Sequence, residues 1–389
     1  GNNRPKSFSM HRALDALKKN EKPNEAKTEK RMSKILTIDI GAGTMDVLYL
    51  DTESELHFKA VVLSPVRTIA ERIRTASGRL LILGGEMGGG AVSQAIKQRA
   101  QTETVLISEA ASKTLSHDPD RVRGLGLEVI EEAQAQDLVD AGGHRVLTLS
   151  DLELERIQGI VEGFGVPFEM DVVGVCVQDH GVAPKGVSRL DYRHNHFCPV
   201  LDQSPRPDAL LYRGDEVPLD MNRLCTLRDS ALKLPSSSVY IMDSGMAAIL
   251  GATLDARVRA CGPAIVLDVA TSHTVAACFE GDELCSFVEY HTKDIRTERM
   301  DSLLKELADG QIQHQQILAE GGHGAYTRRA LGLDSIEIIL STGPRRSMLA
   351  GSSHPIQLGA PLGDNMMTGT VGLLEAIRRR EGWSEIPYD

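Results

Sequence analysis

The chain of 389 residues has few aromatic side chains, seven Phe, seven Tyr and one Trp, 4% of the total. Stacking of bases or sugars on aromatic faces is therefore not its dominant mode of recognition. It lacks a positive balance: the net charge is −11, which argues against broad nucleic-acid or membrane-surface binding. No apolar run reaches the ~20 residues that span a bilayer, and no secretory pattern is visible. No glycine-rich loop ends in Gly-Lys-Ser/Thr, which removes the P-loop. The six cysteines, at 176, 198, 225, 261, 278 and 285, are scattered, and the closest pair, Cys278 and Cys285, has six residues between them. That spacing does not make an iron–sulfur motif, and scattered thiols fit a reducing compartment. The expectation is a soluble, cytoplasmic protein.

What the chain does have is one pattern written twice. Ile35-Leu36-Thr37-Ile38-Asp39-Ile40-Gly41-Ala42-Gly43-Thr44 runs on into Met45-Asp46-Val47-Leu48, and Ala264-Ile265-Val266-Leu267-Asp268-Val269-Ala270-Thr271-Ser272-His273-Thr274 runs on into Val275-Ala276-Ala277. Each is an apolar strand, an aspartate, a turn of small and hydroxylated residues, and a second apolar strand. Asp39 and Asp268 fall at strand tips, where a rigid backbone holds a charge still. One or two carboxylates with phosphate oxygens suffice for magnesium. Gly41 and Gly43 allow a close backbone approach, and exposed amides in such a turn form an anion-binding concavity. Thr44, Thr271, Ser272 and Thr274 add hydroxyl donors. Two alternatives stand beside this reading. Gly41-Ala42-Gly43 also opens a dinucleotide fingerprint, but Asp46 holds the third glycine position and a strand follows where a helix is needed. The other is a pair of ordinary tight hairpins.

The two segments resemble the phosphate-1 and phosphate-2 loops of the superfamily of sugar kinases, heat-shock chaperones and actin. Asp243-Ser244-Gly245 through Ala252 is similar to its first connecting helix. Ile338-Ile339-Leu340-Ser341-Thr342-Gly343-Pro344 is similar to its adenosine strand and turn, and Gly363-Asp364-Asn365 with 369–376 to its second connecting helix. More narrowly, the chain resembles a prokaryotic family that carries the label pyruvate formate-lyase activating enzyme. The label implies a radical enzyme with a three-cysteine cluster, which the cysteine spacing does not supply, so that activity is not expected. The superfamily resemblance implies an α/β fold of two ribonuclease-H-like, actin-like ATPase lobes. Their mixed sheets would be flanked by helices around an interlobe nucleotide cleft. It implies ATP and magnesium as cofactors, with Asp39 and Asp268 at the metal. Gly41, Ala42, Gly43 and Thr44 would hold phosphates from one side, and Ala270, Thr271, Ser272, His273 and Thr274 from the other. Gly343, Pro344 and Arg345 would lie at the nucleoside. Two departures bear on hydrolysis: the phosphate-2 turn lacks glycines, and Pro344, Arg345 and Arg346 replace a glycine-rich adenosine turn. Arg345 and Arg346 would stack on a base or meet phosphate, or begin a solvated helix.

The expected organisation is a charged extension at 1–31, a first lobe with an insertion at 32–242, and a second lobe at 243–389. The extension holds nine Lys or Arg and four Asp or Glu, with a short amphipathic helix at 8–19; it reads as a partner-binding tail or a tether. In the first lobe, strands at 35–40, 45–50 and 57–63, a helix at 68–75 and a strand at 80–83 are expected. The order repeats with strands at 284–290 and 336–340 around a helix at 300–307.

Further polar constellations are candidates for a substrate. Gly84-Gly85-Glu86-Met87-Gly88-Gly89-Gly90 follows a strand and precedes a helix, a good place for close backbone approach to an anion. Glu86 would orient water or a substrate group; the alternative is a flexible connector. Gln178-Asp179-His180-Gly181 follows an apolar strand, with His180 a candidate base oriented by Asp179, or a satisfied structural histidine. In a strand, His194, His196 and Cys198 would share one face and suit zinc, or with Arg193 bind an anion. His323, in Gly321-Gly322-His323-Gly324, is a candidate substrate contact, with Tyr326, Arg328 and Arg329 continuing as a helix.

Three functions follow. The first is a slow ATPase that couples nucleotide state to lobe closure and acts on a partner protein. The second is a small-molecule kinase, and the third a nucleotide-binding regulator that does not turn over.

Overall fold

The computed structural model describes residues 33–388; the extension at 1–31 and its expected helix lie outside them. Three antiparallel strands come first, β1 (Lys34–Ile40), β2 (Thr44–Asp51) and β3 (Leu56–Leu63). Helix α1 (Pro65–Thr75) follows, with Ser64 as its N-cap and Pro65 in its first turn, both favoured at a helix start. The chain then leaves this sheet. Strands β4 (Leu80–Gly84), β5 (Val105–Ser108), β6 (Leu127–Ile130) and β7 (Arg145–Leu149), with α2 (Gly90–Ala100) after β4, form a separate parallel sheet ordered β6-β5-β4-β7.

The first sheet resumes with β8 (Met170–Val177), which pairs parallel to β1. This corrects the expectation that 80–83 supplies its fourth strand. Both segments are aliphatic runs, and such a run does not tell which sheet a strand joins. Then come α3 (Arg189–Gln203), β9 (Leu211–Arg213), α4 (Asn222–Ala231) and β10 (Ser236–Asp243), giving the order β3-β2-β1-β8-β10-β9. Helix α5 (Ser244–Ala252) leads out.

The second half repeats the scheme. Its elements are β11 (Ala264–Val269), β12 (His273–Glu280), β13 (Glu283–His291), α6 (Thr297–Ala308), β14 (Gly324–Thr327), β15 (Ile338–Thr342), β16 (Ile356–Leu358) and α7 (Thr368–Glu381). The sheet order is β14-β13-β12-β11-β15-β16. Without the edge strands β9 and β14, both sheets read third, second, first, fourth, fifth, and only the second strand runs antiparallel to the rest. This is the ribonuclease-H-like arrangement twice over, and each half has its own apolar core. The inserted sheet has a third core. The expected helix at 326–329 is instead strand β14 and the turn after it. Tyr326 packs on Phe287 of β13, and Arg328 and Arg329 pair with Glu283.

Helices α5 and α7, each following the fifth strand of its half, cross at glycines. A Cβ on Gly372 would lie 1.8 Å from the Ala247 carbonyl oxygen, and one on Gly251 1.9 Å from that of Thr368. Two halves joined through this helix pair make the two-lobed, actin-like architecture. No helix among the described residues is long and apolar enough to cross a membrane.

The duplication extends to the turns. Gly41 N–H donates to the Thr44 carbonyl at 3.0 Å, and Ala270 N–H to that of His273 at 3.0 Å. A buried hydroxyl residue after each third strand pins its turn. Ser64 Oγ donates to Gly41 O at 2.6 Å and Ser64 N–H to Gly43 O at 3.0 Å. Thr292 Oγ1 donates to Ala270 O and Thr292 N–H to Ser272 O, both at 2.8 Å. Removing either hydroxyl strands a carbonyl at no gain. Ser64→Ala and Thr292→Val are each expected to cost about 1–3 kcal/mol, read as a lower midpoint in urea unfolding.

Candidate functional site

The two hairpin tips meet. A Cβ at Gly43 would lie 2.7 Å from Thr271 Oγ1. Beside this contact lies a cleft of about 630 Å³ lined by both halves, within the ~300–1,000 Å³ usual for small-ligand sites. Asp39, Gly41, Ala42 and Thr44 line it from the first hairpin, and Asp268, Ala270, Thr271, Ser272 and His273 from the second. Glu86, His180, His323 and Pro344 line it too. Four anticipated contacts stand outside the lining, the first being Gly43, which packs against Thr271. The Thr274 hydroxyl is buried against Thr292 at 3.0 Å. Gly343 (φ 88°) backs Asp268, where a Cβ would lie 2.7 Å from Oδ1. Arg345 is exposed, and Arg346 donates to the Gly359 carbonyl. The strand that follows Gly43 rules out the dinucleotide fingerprint, which requires a helix there.

Asp39 Oδ1 accepts from Ser244 Oγ at 2.8 Å and Cys176 Sγ at 3.3 Å. Gly369 backs its other oxygen so closely that a Cβ would sit 2.0 Å from Oδ2. Asp39 thus meets the N-terminal turns of both α5 and α7, where a helix favours negative charge. Asp268 Oδ1 accepts from Thr342 Oγ1 at 3.3 Å. The sequence reading missed Asp46, which stands opposite Asp39 in the β1–β2 register. Its Oδ1 is buried with no hydrogen-bond partner. The repeat itself carried the signal, because the residue opposite Asp268 is Val275: Asp46 is an acid where the other copy has an aliphatic.

Burial first, then repulsion by neighbouring carboxylates (Asp243 for Asp39, Asp39 for Asp46 and Asp268), pushes these carboxyls up. Burial raises Asp39 to about 6 against its Ser244 and Cys176 hydrogen bonds. Burial and the neighbouring Asp39 raise Asp268 to about 7 and Asp46 to about 8. The folded protein therefore holds protons that the unfolded chain releases above about 4. Stability supplied by these groups is complete below pH ~4 and is lost as pH rises to ~8. Asp46→Asn removes the most repelled charge. It is expected to raise the stability of the ligand-free protein at pH 8 by more than about 1 kcal/mol and by clearly less at pH 5, measured by thermal melts in both buffers without magnesium.

A buried ion triad includes Glu289, which lines the cleft. Arg193 on α3 reaches Asp243 at 2.9 Å and Glu289 of β13 at 2.6 Å, and its guanidinium lies 4.7 Å from the Phe197 ring centre. Burial works against the charge, but both carboxylates push the Arg193 pKa above its ordinary value. Burial would raise Glu289, yet Arg193 and His323 hold it well below the carboxylate range. Arg193 is thus consumed by protein carboxylates, which corrects its reading as an anion site. Asp243 also caps α5, accepting from Gly245 N–H at 2.9 Å and Met246 N–H at 3.2 Å. Its place as the acid before a helix gave no hint of the triad.

The glycine-rich segment is anchored rather than loose. Gly84 (φ 100°) lies so close to Leu149 that a Cβ would fall 2.2 Å from its carbonyl oxygen. Met87 N–H donates to Thr114 Oγ1 at 3.1 Å and Gly88 N–H to Asp151 Oδ1 at 3.1 Å. Arg223 holds Asp151 with two bonds, of 2.7 and 3.0 Å. Glu86 Oε2 accepts from Asn222 at 2.6 Å and meets His117 Nε2 at 2.8 Å. His180 is half-buried in the cleft wall, and desolvation, with Arg193 close by, holds it neutral, well below the ordinary histidine value. Asp179 does not orient it: its oxygens take Gly181 N–H at 2.8 Å and Leu224 N–H at 3.0 Å.

His194, His196 and Cys198 lie on helix α3, not a strand. The i, i+4 pair meets, His194 Nε2 to Cys198 Sγ at 3.1 Å, and His194 stacks on His314 at 3.7 Å between ring centres. His196 instead turns toward Asp220, 3.9 Å away. Helical spacing puts i and i+2 on different sides, so the three do not converge on a metal. Among the described residues, which include all six cysteines, no three cysteines form a ligand group.

Two ribonuclease-H-like halves presenting acidic hairpin tips to one cleft define a protein of the two-lobed, actin-like class. The chain belongs to the family described as "Putative pyruvate format-lyase activating enzyme (DUF1786)", whose model matches residues 87–348. No curated protein matches it. Among solved structures it is similar to a Bacteroides thetaiotaomicron VPI-5482 protein with actin-like ATPase fold and unknown function (8% identity, 88% of this chain and 96% of that one, TM-score 0.33). It is also similar to the apo pSK41 ParM protein (11%, 90% and 98%, TM-score 0.31) and to the ROK hexokinase of Thermus thermophilus (12%, 90% and 100%, TM-score 0.30). At these scores the likeness carries no argument about activity.

Proposed function

We propose that the cleft binds ATP with magnesium and that slow hydrolysis couples nucleotide state to closure of the lobes on a partner protein. The observation behind this reading is the pair of mirrored turns in contact, with Asp46 buried and Asp39 and Asp268 half-buried beside them. A partnerless carboxylate oxygen on Asp46 and the mutual repulsion of the three acids suit a hard divalent cation with oxygen ligands. Magnesium, when bound, neutralises phosphate charge as it develops. Asp39 and Asp268 would hold it, partly through water. Gly41, Ala42 and Thr44 would cradle phosphate from one lobe, and Ala270, Thr271, Ser272 and His273 from the other. Pro344 would shape the nucleoside wall. Asp268 would also position the attacking water. Any change in lobe spacing would load the Arg193–Glu289 pair and the α5–α7 crossing, which gives closure a mechanical route through the protein.

A second reading, a small-molecule kinase using the same cleft, draws on Glu86. Its carboxylate is held by Asn222 and His117 on an anchored loop that faces the cleft. An acceptor hydroxyl there would find a fixed partner, with His180 as the candidate base. A small acceptor that accelerates ADP release would favour it; a protein that does so would favour the first reading. Calorimetry with ATP, ADP and NAD, with and without magnesium, tests the shared core. Magnesium-dependent ATP binding is expected, weakened about tenfold or more by Asp39→Asn, a loss of ~1.4 kcal/mol or more. NAD binding without magnesium-dependent ATP binding would overturn it.

A further inference from the structure

At the second-lobe end of the cleft, three imidazoles from three different segments converge. His273 opens β12, His291 closes β13, and His323 sits in the turn before β14. One ring nitrogen from each lies within 4.8 Å of the other two, and among the described residues they are the group of three ligating side chains that does so. His323 Nε2 and His291 Nε2 are 3.0 Å apart. His273 Nε2 is buried and has no hydrogen-bond partner.

The opposite ring nitrogens have partners outside the cluster. His273 Nδ1 meets Ser272 Oγ at 2.9 Å. His323 Nδ1 lies 3.4 Å from Glu289 Oε1, and that carboxylate is itself fixed by Arg193 at 2.6 Å. A ligating histidine characteristically gives its second N–H to a carboxylate or another acceptor, which sets its tautomer and aims its lone pair. Two of the three rings here have such a partner at Nδ1, which leaves Nε2 of each as the nitrogen available to an ion.

We propose that His273, His291 and His323 bind one divalent transition-metal ion of the zinc class through Nε2, with its remaining coordination position open to the cleft. An all-imidazole set suits zinc, copper, nickel or iron and not magnesium or calcium. Zinc at ~2.0–2.1 Å from each nitrogen places the nitrogens about 3.3 Å apart. The His291–His323 pair is already near that spacing, and the third ring needs a small inward turn. Three protein ligands with one open position are the pattern of a catalytic rather than a structural zinc. His180, whose ring centre is 5.4 Å from that of His323, and Gln178 line the same end of the cleft. A ligand entering from the cleft would meet the ion there. The site uses none of Asp39, Asp46 or Asp268, but it shares His273 and its partner Ser272 with the second phosphate turn.

The test uses the full chain, stripped with chelator and titrated with zinc chloride by calorimetry and with cobalt chloride by visible absorption. One zinc per chain is expected, with the intense d–d bands of four-coordinate cobalt. His291→Gln and His323→Gln should each weaken zinc by more than about 100-fold, the upper end of what a lost outer partner costs, and Ser272→Ala by about 10-fold. His194→Gln should not change it. Zinc binding should persist in Asp39→Asn, so failure of the magnesium–ATP reading leaves this result intact. If a histidine variant does not fold, zinc-edge X-ray absorption of the wild-type protein decides, with three imidazole nitrogens expected. No stoichiometric zinc, full affinity in His291→Gln, or a shell with fewer than three imidazoles overturns the proposal.

Discussion

The structure depends on the contact between two turns that each follow a half-buried acid at a strand end. Gly43 against Thr271 brings the hairpin tips together, and that contact sets the separation of the lobes at the cleft. A side chain at position 43 would collide with Thr271, so the smallness of this residue is a condition for the lobes to meet. The same contact crowds Asp39, Asp46 and Asp268 into one low-dielectric region, where each raises the cost of ionising the next. In the ligand-free protein this is a local instability. Functional sites commonly store such conflict, because a ligand that relieves it is bound selectively over the unfolded chain.

Around this conflict the fold is conservative. Ser64 and Thr292 fix the two turns by the same pair of hydrogen bonds, and glycines let α5 and α7 touch. The Arg193 triad ties α3 to β10 and β13. Its desolvation makes it a weak source of net stability, but breaking it would strand two buried carboxylates. It therefore acts more as a register for one lobe arrangement than as glue. Glu289 serves two partners, Arg193 and His323, and so joins this register to the histidine cluster in the cleft.

Much of the fold was legible because it is local. A strand, an acid, a short turn and a strand is a pattern visible in a dozen residues, and its recurrence from Asp39 to Asp268 announced the duplication. The connecting helices were legible from their small residues, Gly245 to Ala252 and Gly369 to Ala376. What stayed hidden was non-local. The strand at 80–83 looks like any buried parallel strand, and only pairing to β5 and β7 reveals a separate sheet. The segment 193–198 alternates like a strand, yet Ser188 caps it as a helix. Arg193 looked free because its partners are 50 and 96 residues away. The cleft residues were read one motif at a time. Asp46 and the trio His273, His291 and His323 emerge only when the two copies are laid side by side or the chain is folded.

The most direct measurement is anomalous diffraction at the manganese edge, from crystals grown with manganese and a non-hydrolysable ATP analogue. The account predicts a manganese peak between Asp39 and Asp268, with the triphosphate held by the amides of residues 41–44 and 271–273. A peak elsewhere, or a nucleotide bound away from the two turns, would contradict it.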